Sequence, residues 1–225
     1  MIKNEDRIKV LLWDANVKLI EAMNLFDEEA LAPENPVDII FPVKTKLEKL
    51  WEDCIIREGW ETTANWYIKR MDENKYRDVS EKTGVPWQVV ASIHALEGSC
   101  NFNTHLHNGD PLTARTTHVP ANRPVVGAPP FFWEESAIDA LAYDNLTNVK
   151  DWTVEKTLDM LEKYNGKGYF NRGINTPYLW SGTQFYGDAP NIGKYVADGK
   201  FNPTYVSQQV GAVVFLKLLK WKPKT

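Results

Sequence analysis

The chain has 225 residues, of which 43% are hydrophobic, and a formal net charge of −4. That length suits one large domain, or one domain with a small appendage, and the apolar fraction is enough for a sizeable core. The acidic balance, without any basic block, argues against nucleic acid as the main partner, and no apolar run approaches the length of a membrane span.

Residues 6–29 are expected to form an amphipathic helix, because Ile8, Leu12, Ala15, Leu19, Ala22, Met23 and Phe26 recur at helical spacing. Pro33, Pro36 and Pro42 then interrupt the chain, with a short apolar piece, Val37 to Phe41, between them. Residues 1–45 therefore read as an N-terminal helical extension with a proline-containing linker, and residues 46–225 as the main domain. Helices are expected over 44–58, with Leu47, Leu50, Trp51 and Cys54 inward, over 62–71, and over 75–82 with Gly84 as the stop. The next runs from Trp87, after Pro86 at the position where a missing N–H costs nothing. Val89, Val90, Ile93 and Leu96 keep its period.

From Gly98 to Phe132 no helical period survives. The stretch is rich in Asn, Thr, Gly, Pro and His, and a loop of this length in a compact chain usually carries function. Short strands could lie near Leu112–Ala114 and Val125–Val126. Helices resume over 134–147 and over 153–164, the latter capped by Thr153. Residues 165–202 are again irregular and rich in glycine and aromatics. A last helix is expected from Asn202–Pro203 to about Trp221, with a deeply buried centre from Val210 to Leu219. The fold class is mainly α, with two long loops that could face one another across a cleft.

The residue that draws chemical interest is Glu97, at the last turn of the 87–98 helix, on the same face as Val90 and Ile93. Burial disfavours the ionised carboxylate, and the negative end of the helix dipole acts in the same direction. A carboxyl held protonated near neutral pH is what a general acid requires. The competing reading is a glutamate that turns to solvent or pairs with a lysine or arginine. Asp110, in the sequence HNGDPL, is the nearest downstream carboxylate. It is a candidate second carboxylate for glycoside hydrolysis, where one group protonates the leaving oxygen and another activates water. Asn-Gly-Asp-Pro is equally a turn sequence in which the aspartate only bonds backbone N–H groups. Asp139 and Asp144 read as a solvated or capping face of the next helix.

His94, His105, His107 and His118 cluster with Cys100 and invite comparison with zinc sites. Their spacings match no strong ligand pattern, so hydrogen bonding that fixes a polar loop is the expected role, with no metal and no organic cofactor. Cys100 beside histidines also admits a nucleophile, but a small buried thiol is the commoner role. Cys54 and Cys100 are expected to be free thiols rather than a pair. Tyr164-Asn165-Gly166 at a helix end, and Thr176 to Thr183 (TPYLWSGT), could either close the core or wall a cleft with aromatic rings for sugar faces and amides for N-acetyl groups.

Two of these stretches together resemble a known superfamily. Ile93-His94-Ala95-Leu96-Glu97-Gly98-Ser99, with Asn101-Phe102 behind it, resembles the glutamate motif of goose-type lysozymes and soluble lytic transglycosylases, in which a helix-end Glu-Ser carries the acid. Here Gly98 intervenes before Ser99. Tyr164-Asn165-Gly166 resembles the Ala-Tyr-Asn-Ala-Gly motif of the same enzymes without its alanines, and the Gly-Leu-Met-Gln segment between the two is not recognisable. HLHNGDPL, the run Trp133 to Leu141 (WEESAIDAL) and TPYLWSGT are similar to bacterial and prophage peptidoglycan hydrolases of the lysozyme family. The likeness covers roughly residues 46–221.

The resemblance implies a lysozyme-like helical domain and a muramidase acting on peptidoglycan glycan strands as a monomer. Glu97 would be the acid, and Asp110 would help water attack. Tyr164, Asn165, His107, Asn108, Tyr178, Trp180 and Tyr186 would bind substrate. Lytic transglycosylation, a non-catalytic glycan-binding protein and a zinc-dependent wall amidase or peptidase are the alternatives. The charged N-terminus shows no signal peptide, so synthesis in a cytoplasm and action on the wall after phage-type release are expected.

Overall fold

A computed structural model describes residues 45–166, 168–197 and 199–224. The chain divides into two units, Met1–Val43 and Lys44–Thr225, and the described residues belong to the second. The helix expected at 6–29 and the apolar piece Val37–Phe41 lie outside them.

Eight α-helices and one small hairpin make up the described fold: α1 (Lys46–Glu52), α2 (Trp60–Ile68), α3 (Glu73–Thr83), α4 (Trp87–Gly98), α5 (Trp133–Tyr143), α6 (Val154–Asn165), α7 (Pro177–Trp180), β1 (Lys194–Ala197), β2 (Lys200–Asn202) and α8 (Ala212–Leu218). The protein is mainly α, as its periodicity predicts. Local chemistry sets several boundaries. At α1, Thr45 and Glu48 form a reciprocal capping box. Asp72 accepts from the backbone N–H groups of Asn74 and Lys75 at the start of α3, and Gly84 ends that helix in the left-handed conformation. Thr153 caps α6 by accepting from the N–H of Lys156 at 3.2 Å.

Helix α4 is the centre of the domain. It packs against α3 and α8, while α3 also packs on α5, α6 on α1 and α7, and α8 on α2 and α7. The apolar spacing predicts one inward stripe, but the structure buries α4 nearly all round, from Val89 through Leu96. A helix enclosed by others carries no polar face. Of its two buried polar side chains, Ser92 donates to the Gln88 carbonyl at 2.7 Å, while His94 Nδ1 lies 2.9 Å from the Tyr76 hydroxyl and its Nε2 is buried without a partner. Phe102 and Trp133 pack on the same imidazole. Each fully buried aliphatic residue here contributes roughly 2 kcal/mol of burial free energy.

Several features differ from the sequence expectation, and the helix expected over 44–58 ends at Glu52. The 112–114 and 125–126 segments are turns and bends, and the two-stranded antiparallel sheet forms instead at 194–202, pairing Lys194 with Asn202 and Tyr195 with Phe201. The last helix begins at Ala212, not at Asn202. Asn202 instead turns the chain by accepting from the Thr204 N–H. The segment up to Gly211 stays non-helical because its polar groups bond elsewhere, Ser207 N–H to the Tyr186 hydroxyl and Gln209 to the Leu96 carbonyl. Long-range partners outweigh local periodicity there. Cys54 and Cys100 are free thiols.

Candidate active site

Glu97 occupies the last turn of α4, and the groups that touch this helix end or act on its carboxyl come from five other segments. Gln209 Nε2 donates to the Leu96 carbonyl at 2.7 Å, satisfying one of the orphan acceptors that end a helix. The loop 99–112 folds back so that Gly109, at φ +80°, lies over the Glu97 carbonyl; a Cβ on Gly109 would meet that oxygen at 2.9 Å. Gly98 does not supply the left-handed turn, which Ser99 and Cys100 adopt instead. It is small for another reason: a Cβ there would press on the His94 ring and Thr104 Oγ1, each at 3.0 Å.

The Glu97 side chain keeps only a partly exposed edge. Among the described residues no lysine or arginine pairs with it. Burial pushes its carboxyl up to about 7; the Tyr178 hydroxyl opposes that rise by favouring the charged form, and Asp144 adds to it by like-charge repulsion. Tyr178, on α7, is 5% exposed. Its hydroxyl acts on the Glu97 carboxyl but completes no hydrogen bond of good geometry, leaving a buried donor without a settled partner. Tyr164, at the end of α6, donates to the Leu106 carbonyl at 3.0 Å and is pushed well above the ordinary tyrosine value by burial, with Glu97 and Asp144 adding to the rise. Asp144 follows α5 as its C-cap, half-buried, and desolvation raises its carboxyl to about 6. Glu97, Asp144, Tyr164 and Tyr178 come from the ends of four helices, and each carboxyl raises the ionisation cost of the two tyrosines.

A cleft of about 540 Å³ opens beside this group, lined by Asn165, Tyr169, Tyr178, Lys194, Tyr195 and Gln209 among others. Glu97 is not a lining residue; Tyr178 and Gln209 belong to both the cleft and the surroundings of the α4 end. Asn165 Nδ2 also donates to Thr176 Oγ1 at 3.4 Å.

The other residues predicted for the site have different tasks. Asp110 is buried, and both carboxylate oxygens are occupied. Oδ2 accepts from the N–H and Oγ1 of Thr117 and from the N–H of His118, while Oδ1 lies 2.6 Å from His118 Nδ1. Desolvation would raise this carboxyl, but those bonds outweigh it and hold it far below the usual range. Of its two sequence readings the geometry matches the turn. His107 is a correction: it is buried, with Nε2 2.8 Å from Asp139 Oδ2, and offers no free face to a ligand. Asp139 in turn accepts two bonds from Arg123, at 2.9 and 2.7 Å, so it is not a solvated side chain. Asn108 is likewise used inside the loop, accepting from the Asp110 N–H and donating to the His118 carbonyl. Trp180, 1% exposed, and Tyr186, 3% exposed, are core residues and cannot stack on a sugar. Trp180 packs edge-on against Phe185, and the Tyr186 hydroxyl donates to the Gly193 carbonyl.

The histidines do not converge. His94 lies among aromatics with burial lowering it to about 4, His105 bridges Ser136 and the Ala114 carbonyl, and His107 and His118 each face an aspartate. Among the described residues no group of three or more His, Cys, Asp or Glu side chains is placed to hold a metal ion. No helix among them is long and apolar enough to cross a membrane.

Sequence reasoning read Asp144 as a solvated or capping residue, and it is the C-cap of α5; it missed Gln209 and the hairpin wall. Asp144 carried a usable signal, since an aspartate just past the last apolar turn of a helix can end half-buried. Gln209 and Tyr195 carried none, because their positions depend on long-range packing. No protein-family model, curated protein or solved structure matches this chain.

Proposed function

We propose that this protein is a glycan-cleaving enzyme of the peptidoglycan muramidase type, with Glu97 as the general acid. The carrying observation is the state of Glu97: a carboxyl at a helix end, unpaired by any cation among the described residues, raised to about 7 by burial and faced by the Tyr178 hydroxyl. Such a group holds its proton near neutral pH and can release it to a leaving glycosidic oxygen. The adjacent cleft supports a polymeric substrate. Its walls combine tyrosine rings with the amides of Asn165 and Gln209, which suits sugar faces and N-acetyl groups. The likeness of the Glu97 and Tyr164 segments to goose-type lysozymes and lytic transglycosylases names the substrate as the β-1,4 bond between N-acetylmuramic acid and N-acetylglucosamine.

A non-catalytic glycan-binding role would need the same cleft but gives no reason for a buried carboxyl that holds its proton beside it. The zinc-dependent alternative finds no convergent ligand set among the described residues. The test is release of reducing ends from purified peptidoglycan. Wild type should release them, and Glu97→Gln should be slower by roughly 100- to 10,000-fold. Equal release by both proteins would remove Glu97 from the chemistry.

A further inference from the structure

We infer that, with the cleft taking a glycan as proposed, Gln209 is a specificity-determining residue: its side-chain oxygen accepts the N–H of an N-acetyl group on the bound sugar, while its nitrogen ties that contact to the end of α4. Two independent observations put the side chain there. Gln209 lines the cleft, in company with Asn165, Tyr169, Tyr178 and Tyr195. Its Nε2 also donates at 2.7 Å to the carbonyl of Leu96, the residue before Glu97. A carbonyl only accepts, so that bond fixes which end of the amide faces α4 and leaves Oε1 as the other end. Among the described residues the bonds of Gln209 run from its backbone N–H to Ser207 Oγ and from Nε2 to Leu96, and none uses Oε1. The residue is exposed, so this acceptor is open to a ligand.

The backbone that carries Gln209 is pinned on both sides. Ser207 donates its N–H to the Tyr186 hydroxyl at 3.1 Å, and its carbonyl accepts from Ser181 Oγ at 3.1 Å. On the other side Val210 is buried, and the Gly211 N–H donates to the Ser181 carbonyl at 2.9 Å. Gly211 runs so close to α7 that a Cβ there would meet the Leu179 carbonyl at 2.4 Å. The Gln209 amide is therefore ordered before a ligand arrives, and little conformational entropy is lost when it binds. Asn165, the other amide of the cleft, is held by a longer bond, 3.4 Å, to Thr176 Oγ1, and Thr176 caps α7 rather than α4.

An acetamido group offers one N–H donor and one carbonyl acceptor. An acetate ester of the same shape offers no donor. Oε1 pairs with the first and meets only a lone pair on the second, so the cleft discriminates by a repulsive contact as well as an attractive one. The same amide grips the carbonyl next to Glu97, so a sugar read by Gln209 is set in place relative to the helix end that carries the acid. Gln209 binds and orients, and no bond-breaking step passes through it.

The experiment is calorimetric titration of the Glu97→Gln protein, which leaves the ligand intact, with chitotetraose and with its analogue in which each acetamido group is an acetate ester. The parent should bind chitotetraose roughly 10-fold more tightly than the ester. Adding Gln209→Met should abolish that preference. Adding Gln209→Lys, which can still donate to the Leu96 carbonyl but cannot accept, should abolish it too, while keeping a higher melting temperature than the methionine variant. The lysine variant thus separates reading the substrate N–H from holding the helix end. An unchanged preference in both variants, or no preference in the parent, would overturn the assignment of Gln209 and leave the glycan reading standing. Binding of neither tetrasaccharide would also overturn it, and reducing-end release from peptidoglycan by wild type, measured in parallel, decides whether the glycan reading falls with it.

Discussion

Replacing Glu97 with glutamine keeps the shape of the side chain and removes its ionisation, so it turns the raised carboxyl into a stability measurement that needs no substrate. In the folded protein Glu97 titrates at about 7, against an ordinary value of 4.5. The folded state therefore binds the proton more tightly than the unfolded chain. The sign follows from linkage: between the two values the unfolded state holds fewer protons, so wild-type stability falls as pH rises. The contribution is complete below about 4.5 and is lost as pH climbs through 7. At 1.36 kcal/mol per pH unit, the loss is about 3 kcal/mol. Glu97→Gln lacks this term. Urea unfolding of both proteins from pH 4 to pH 8 should show the variant gaining on wild type by about 3 kcal/mol, with the change centred between pH 5 and 7. Asp144 titrates in both proteins, and its shift comes from its own desolvation, so it largely cancels in the comparison. Parallel stability curves would refute the claim that burial raises Glu97.

Further predictions concern the scaffold. Gly109→Ala should lower stability by about 1–3 kcal/mol, because the left-handed backbone and the Glu97 carbonyl both oppose a Cβ; a thermal melt measures it, and the same variant should cleave glycan more slowly. Asp110→Asn should cost about 2 kcal/mol near pH 7 by weakening the bonds to Thr117 and His118. Because folding lowers the Asp110 carboxyl, its stability is present above the ordinary 3.8 and is lost as pH falls below it, so the variant should unfold with a weaker acid limb. Asp139→Ala should cost about 3 kcal/mol in urea unfolding, because it strands Arg123 and His107 in a largely buried setting. Glycan turnover should decline above about pH 7 as Glu97 loses its proton; a rate still rising at pH 9 would contradict its role as acid.

Helix positions were legible wherever short-range signals coincide with packing. Pro86, the 89–96 apolar period and the Thr153 cap each mark an element that the structure contains. Glu97 was legible for the same reason, since its placement depends on one helix alone. The position of Tyr164 at the end of α6, coupled to Glu97, could also be reached from the end of a capped helix. Asp110 was ambiguous because a turn aspartate and a catalytic one look alike until the bonds from Thr117 and His118 are seen. Trp180 and Tyr186 misled because an aromatic in an irregular, glycine-rich stretch carries no mark of which way it faces; packing against Phe185 and bonding to Gly193 and Ser207 turn them inward. The late start of α8 was hidden for a related reason. Periodicity from Val206 onward is compatible with helix, but Gln209 and Ser207 find partners 113 and 21 residues away.

The central claim is that Glu97 supplies the proton for cleavage of peptidoglycan glycan strands. Mass spectrometry of purified peptidoglycan after digestion with wild type and with Glu97→Gln tests it most directly. The account predicts muropeptides cut at the sugar–sugar bond by wild type and essentially none from the variant. Intact glycan strands with cut peptides, or equal glycan cleavage by both proteins, would contradict it.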